Sequence, residues 1–309
     1  MLSRVAERAY WLARYLERAE DTSRLILVRH NAMLDMPRSV QPDWEMLLEV
    51  LGAGEDFAAK PGAATEKNIL SFVFADRDGT SSIISSLGYA RENMRTSREV
   101  LPSEAWERVN SLYLSVARRA SKGLPRASRH SVLNGIIESS QQISGMLSGS
   151  MNQDEAYQFI RLGRNLERAD MSTRIIDVAS ADLMGSGEDA LPYQNVLWIN
   201  VLQSLSAYQM YRLSMRNNVR APDVLEFLLR SKVFPRAVER CLLEMEASIK
   251  LLPRGDAALK TVQSVHRKLK RTNVRELEGE ALHRFLDSLQ LKLTHVNEAI
   301  YATWFSPEQ

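Results

Sequence analysis

Apolar residues recur every three or four positions along almost the whole chain, the spacing that gathers them on one face of an α-helix. Near the start, Leu12, Leu16, Ala19, Ser23 and Ile26 keep that spacing. At roughly 100° per residue they share one arc, which predicts a buried stripe. Alternation with period two is nearly absent. The one strand-like run, "LSFVFAD" at residues 70–76, is too short for periodicity to separate a strand from a buried helix. Glycines and prolines are few, 14 and 10, and fall at breaks in the pattern, as residues that interrupt or end helices should. The pattern predicts an all-α protein of about a dozen helices, each roughly 10 to 30 residues long. In "LPSEAWERV", Ser103 is the predicted N-cap. Residues 52–66 and 183–193, rich in small residues, read as flexible connections.

The helical pattern is written twice. With an offset of 150, Leu12, Arg14, Leu16, Glu17, Arg18, Ala19 and Arg24 face Leu162, Arg164, Leu166, Glu167, Arg168, Ala169 and Arg174. Glu20 faces Asp170. Further on, "WEMLLEVLGA" from Trp44 aligns with "WINVLQSLSA" from Trp198, and "ILSFVF" from Ile69 with "VLEFLL" from Val224. The order is kept while the offset drifts by only a few residues. A duplicated helical unit is the expectation, with one half at 1–150 and the other at 151–309. The two would pack about a pseudo-two-fold axis in one compact body, as identical subunits do in an isologous dimer. A central pairing of the two charged helices is the favoured arrangement.

Opposite the apolar stripe of the first helix lie Arg14, Glu17, Glu20, Asp21 and Arg24, with Arg18 at the border. Arg164, Glu167, Arg168, Asp170 and Arg174 repeat the set. Glu20 with Arg24, and Asp170 with Arg174, are i,i+4 pairs of ~0.2–0.5 kcal/mol each. A solvated face needs charge but not the same arginine at the same place twice. The recurrence has two readings. One is a buried arginine–carboxylate network that fixes register. The other is a cleft whose arginines hold carboxylates and whose glutamates hold amines. A third stretch, "YARENMRTSRE", adds Arg91, Glu92, Asn93 and Arg95, with Arg91, Arg95 and Arg98 on one helical face. Just upstream, Asp76, Ser81 and Ser82 mark a turn and helix start. Either serine can cap that helix, and a helix N-terminus with hydroxyls can also hold a phosphate or carboxylate.

Composition narrows the chemistry. The net charge of +2 among 309 residues gives no electrostatic footprint for nucleic acid. No apolar run reaches the roughly 18 residues of a membrane span. The N-terminal residues are charged every few positions, unlike a secretory signal. One cysteine, Cys241, makes no internal disulfide and reads as a buried thiol, so a cytoplasmic setting is expected. No metal site is expected: the five histidines lack ligand spacing, and Glu280-Ala-Leu-His283 stands alone where a four-helix carboxylate site needs two such steps. No Gly-rich nucleotide loop occurs, and no cofactor is implied.

Four segments carry a resemblance: "MLSRVAERAYWLARYLERAEDTSRL", "DRDGTSSIISSLGYARENMR", "FIRLGRNLERADMSTRIIDV" and "VLEFLLRSKVFPRAVERCL". Together they resemble the alpha-E family of bacterial helical proteins over essentially the whole chain. The chain departs from the family pattern at Gly79-Thr80, where Asn-Pro is usual, and at Ser231 and Ala237, where Asp and Ser are usual. The resemblance implies a setting of ATP-dependent amide or peptide ligation. Its partners would be a circularly permuted ATP-grasp protein and a transglutaminase-like protein. Three functions follow. The first is a non-catalytic partner of the ligase, binding a peptide or amino-acid-like substrate through the charged residues above, Asp76, Ser81 and Ser82 included. The second is an enzyme whose cleft carboxylates act as general base. The third is a structural protein whose charges serve packing and self-association.

Overall fold

The computed structural model describes residues 1–35, 43–185 and 193–306. It is all-helical among these residues, with fourteen α-helices. They are α1 (Ser3–Asp35), α2 (Met46–Leu51), α3 (Gly54–Ala58), α4 (Glu66–Ala75), α5 (Ile83–Arg95), α6 (Ser103–Ala120) and α7 (Arg126–Ser150). After these come α8 (Glu155–Gly185), α9 (Gln194–Ser204), α10 (Tyr208–Met215), α11 (Ala221–Arg230), α12 (Val238–Lys250), α13 (Asp256–Arg271) and α14 (Gly279–Ile300). A short 3-10 turn at Val274–Glu276 precedes α14, and a π-turn at Tyr301–Phe305 follows it.

The chain divides into two compact units. Unit 1 holds Met1–Asn31 and Asp43–Arg164, and unit 2 holds Ala32–Pro42 and Asn165–Gln309. In unit 1, α2 packs on α4, α4 on α5 and α6, α5 on α6, and α6 on α7. In unit 2, α9 packs on α11, α11 on α12 and α13, α12 on α13, and α13 on α14. The same order of neighbours therefore occurs in each. Lengths match closely too: α4 and α11 have 10 residues each, and α5 and α12 have 13 each.

Local sequence explains the helix ends. Thr65 caps α4 by accepting the Asn68 amide, and Ser82 caps α5 by accepting the Ser85 amide. Gly52 ends α2 in the left-handed region, where a side chain is disfavoured. Ser103 does not cap α6. The capping position is Pro102, which has no side-chain oxygen to offer, and the Ser103 hydroxyl reaches the Glu104 carboxylate instead, at 3.2 Å. The run "LSFVFAD" is helical, lying largely in α4, with Phe72, Val73 and Phe74 all buried. The first predicted connection contains α3. The second begins within α8, and residues 186–192 lie outside the described residues. Trp44 and Trp198, aligned in sequence, are both buried. Cys241 is a buried thiol. No helix among the described residues is long and apolar enough to cross a membrane.

α1 and α8 differ from the other helices. From residue 5 to 30 of α1, and from 155 to 180 of α8, no residue is exposed. An amphipathic helix on a surface buries one stripe, whereas these two are enclosed on every side. Their crossing is visible within unit 1. A Cβ on Gly163 would stand 2.1 Å from the Tyr10 carbonyl oxygen, so at this point the two backbones touch.

Candidate functional site

The predicted residues separate by depth. The stripe Leu12, Leu16, Ala19, Ser23 and Ile26 is buried, as periodicity foretold. The opposite arc is buried too: Arg14 at 8% exposure, Glu17 and Glu20 at 2%, Asp21 at 1%. On α8, Glu167 is 1% exposed, while Arg164, Arg168, Asp170 and Arg174 are half-buried. A carboxylate withdrawn from water must find charged or hydrogen-bonding partners, and these do. The Arg24 guanidinium and the Gln141 amide of α7, the latter at 3.2 Å, both donate to Glu20 Oε1. Arg174 donates to Asp170 at 2.9 Å. Arg14 lies over the Trp11 ring at 4.9 Å, and half-buried Arg18 over Tyr15 at 5.7 Å. Such stacking suits the flat guanidinium and would not suit lysine equally.

Asp76 and Ser82 organise a corner. Asp76 Oδ2 accepts the Gly79 amide at 3.0 Å, and its Oδ1 accepts from Lys60 at 2.9 Å. These bonds to Asp76, then Asp78, hold the Lys60 ammonium above its ordinary pKa. The Ser82 hydroxyl donates to the Asp76 carbonyl. Ser81 is half-buried, with no side-chain hydrogen bond among the described residues. In unit 2 the matching connection, residues 231–237, keeps half of this. Ser231 Oγ accepts the Phe234 amide at 3.1 Å, as Asp76 does for Gly79, but Ala237 offers α12 no cap.

The α5 arginines have different fates. Arg95 is exposed and pairs bidentately with Glu92, through contacts of 2.9 and 2.6 Å. That pairing, against a smaller opposing effect of burial, lowers the Glu92 pKa. Asn93 makes no side-chain hydrogen bond among the described residues. Arg91 is held on three sides by α6: its Nε donates to Asn110 at 2.7 Å, and its guanidinium lies over Trp106 at 5.7 Å and Tyr113 at 5.2 Å. Arg98 lies beyond the end of α5 at Arg95, so it does not share a helical face with Arg91 and Arg95 as the spacing predicts, and it covers Trp106 at 4.1 Å. Beside this surface Tyr89, 41% exposed, stacks on Tyr15, which stacks on Trp11.

Sequence reasoning missed two buried clusters. In unit 1, Arg129 of α7, 3% exposed, donates to Glu66 at 2.8 Å and to His30 Nδ1 at 3.1 Å, and lies over Trp44 at 5.5 Å. Burial pushes the Glu66 carboxyl up, but the bonds and charges of Arg126 and Arg129 outweigh it and hold the pKa below its usual value. In unit 2, Glu239, 1% exposed, accepts from Arg230 at 3.1 Å and sits 3.5 Å from His266 Nε2. His266 Nδ1 lies 2.7 Å from Glu246. Each cluster joins three helices, a property no local pattern reveals. His283 of the single Glu-x-x-His step bonds Asp177 at 2.8 Å.

Comparison with known proteins adds the following. The Alpha-E family, described as "A predicted alpha-helical domain with a conserved ER motif", matches residues 1–305. Glu-Arg steps occur on both enclosed helices, at Glu17-Arg18 and Glu167-Arg168, and again at buried Glu239 with Arg240. Two mycobacterial proteins, from Mycobacterium bovis and Mycobacterium tuberculosis, are similar; both are described as uncharacterised. Each is 22% identical over 325 aligned positions, covering 97% of this chain and 35% of theirs. The chain thus spans about a third of the length of these curated relatives. No solved structure matches it.

Proposed function

The chain belongs to the Alpha-E family, and from that premise we propose that it is a non-catalytic helical partner of an ATP-grasp peptide or amide ligase. It holds the carboxylate of a peptide or amino-acid-like substrate while the partner activates it. The supporting observation is Arg91. Two aromatic rings and the Asn110 side chain already fix its guanidinium. Its terminal nitrogens have no hydrogen-bond partner among the described residues. Immobilising a long side chain on binding costs roughly 0.5–1.5 kcal/mol, and here the fold has already done so. A planar fork held in this way suits bidentate capture of a carboxylate. Arg98, on the same Trp106 ring, adds a second positive charge.

The carboxylates argue against the enzyme alternative. A general base must come within hydrogen-bond reach of a substrate proton. Glu17 and Glu20 are each 2% exposed, and Glu20 already accepts from Arg24 and Gln141. On this reading the α1 and α8 charges are framework, and the accessible α5–α6 surface meets the substrate. The relatives are longer polypeptides, which suits a module acting beside other domains.

The test is ligation by the ATP-grasp protein with and without this chain, after checking that the two co-purify. Arg91→Ala should raise the substrate KM by about tenfold, equivalent to ~1.4 kcal/mol, in a chain that still folds. Equal ligation without the chain would overturn the proposal. Amide turnover by the isolated chain that vanishes in Glu17→Gln would replace it with the enzyme reading.

A further inference from the structure

The loop between α10 and α11 brings three arginines around one cleft of unit 2. The cleft encloses about 660 Å³, within the roughly 300–1,000 Å³ range of small-molecule sites. Arg212 lies in the last turn of α10, Arg216 is its C-cap, and Arg220 is the residue before α11. The amides of Asn195, Asn217 and Asn218 and the phenol of Tyr208 complete the polar lining. Among the described residues no carboxylate lines the cleft, and none of the three guanidiniums has an ion pair or hydrogen bond. Elsewhere in unit 2, Arg230 is matched by Glu239 and Arg275 by Asp223.

All three arginines are exposed to solvent, and two further features bear on their charge and backbone. Arg220 stands at the N-terminus of α11, the positive end of the helix dipole, which repels a cation. Arg216 is left-handed, at φ 54°, in a conformation that ordinarily selects glycine at a helix end. An anion in the cleft would offset the first.

We propose that this cleft binds a condensed phosphate: a diphosphate or triphosphate group, free or carried on a nucleotide. A lone carboxylate engages one guanidinium fork and leaves two charges unmatched. A chain of linked phosphates presents charge and acceptor oxygens on several groups at once, and so meets three forks together. The amides and the phenol supply further donors. A nucleic-acid strand would need a basic track with several stacking rings, whereas this cleft has the single ring of Tyr208. The proposal does not rest on the ligase reading.

Titration calorimetry of the full chain tests it, with inorganic tripolyphosphate, pyrophosphate, ADP and sulfate at matched ionic strength. Tripolyphosphate and pyrophosphate should bind one to one and about tenfold or more tighter than sulfate. Arg216→Gly removes the guanidinium while giving the left-handed position the residue it favours. It should weaken tripolyphosphate binding by about tenfold with an unchanged or raised melting temperature. Arg220→Ala should weaken it similarly. ADP binding equal to pyrophosphate shows recognition of the phosphate chain alone, and tighter binding shows that the nucleoside adds to it; either supports the proposal. Sulfate binding as tightly as tripolyphosphate, no binding of any anion, or full affinity in both variants would overturn it.

Discussion

Arginine has only donors, so the Nδ1 of His30 that faces Arg129 must accept, and the ring is neutral with its proton on Nε2. Burial, then the charges of Arg129 and Arg126, hold the His30 pKa below 6.5. On acidification the unfolded chain therefore takes up this proton first. The contribution of His30 to stability is complete above about pH 6.5 and is lost as pH falls through the folded value. His283 has the opposite sign. Its hydrogen bond to Asp177, and then the Asp177 charge, raise its pKa above 6.5. That contribution is complete below about pH 6.5 and is lost as pH rises through the folded value. Thermal melts between about pH 5 and about pH 8 should separate the two. His30→Gln should flatten the acid side of the stability profile, and His283→Gln the alkaline side. A profile left unchanged by both would remove these pairs from any account of pH dependence.

At the scale of helices, two substitutions test the contacts that set position. In Gly163→Ala the new Cβ meets backbone that cannot swing away. Alanine favours a helix over glycine by ~1 kcal/mol, but overpacking costs ~1–3 kcal/mol and a main-chain clash falls at the upper end. Chemical denaturation should show a net loss. Ser82→Ala removes the α5 cap and should cost about 1–2 kcal/mol. Most helices were legible in the sequence because three-and-four spacing and turn residues are local signals. The apolar stripe of α1 was legible for the same reason. The fate of its polar arc was not: periodicity tells which face of a helix is apolar, but not how many neighbours enclose it. Likewise Arg91 could be singled out from its own helix, whereas Trp106, Asn110 and Tyr113 come from the next. Arg212, Arg216 and Arg220 do recur every four residues, yet α10 ends at Met215, so the spacing does not describe one helix face.

Over the whole molecule, each unit places buried charge where its helices converge: Glu66, Arg129 and His30 in unit 1, Glu239, Arg230 and His266 in unit 2. Leaving a buried partner uncompensated typically costs ~3–5 kcal/mol. Glu66→Ala should approach that loss because it strands Arg129, whose side chain is 4% exposed, and Glu239→Ala should lose less because the Arg230 side chain is 26% exposed. Equal losses would contradict this ranking. The enclosure of α1 and α8 has one more consequence, for mutational tolerance. On an ordinary amphipathic helix about half the positions are free to drift, because water accepts almost any polar side chain. Between residues 5 and 30, and again between 155 and 180, no position is fully exposed, so fewer are free in this way. Each arginine and glutamate is constrained by shape as well as by charge. The segments "LERAEDTSRLI" and "LERADMSTRII" lie within these ranges and differ mostly by exchanges of similar size.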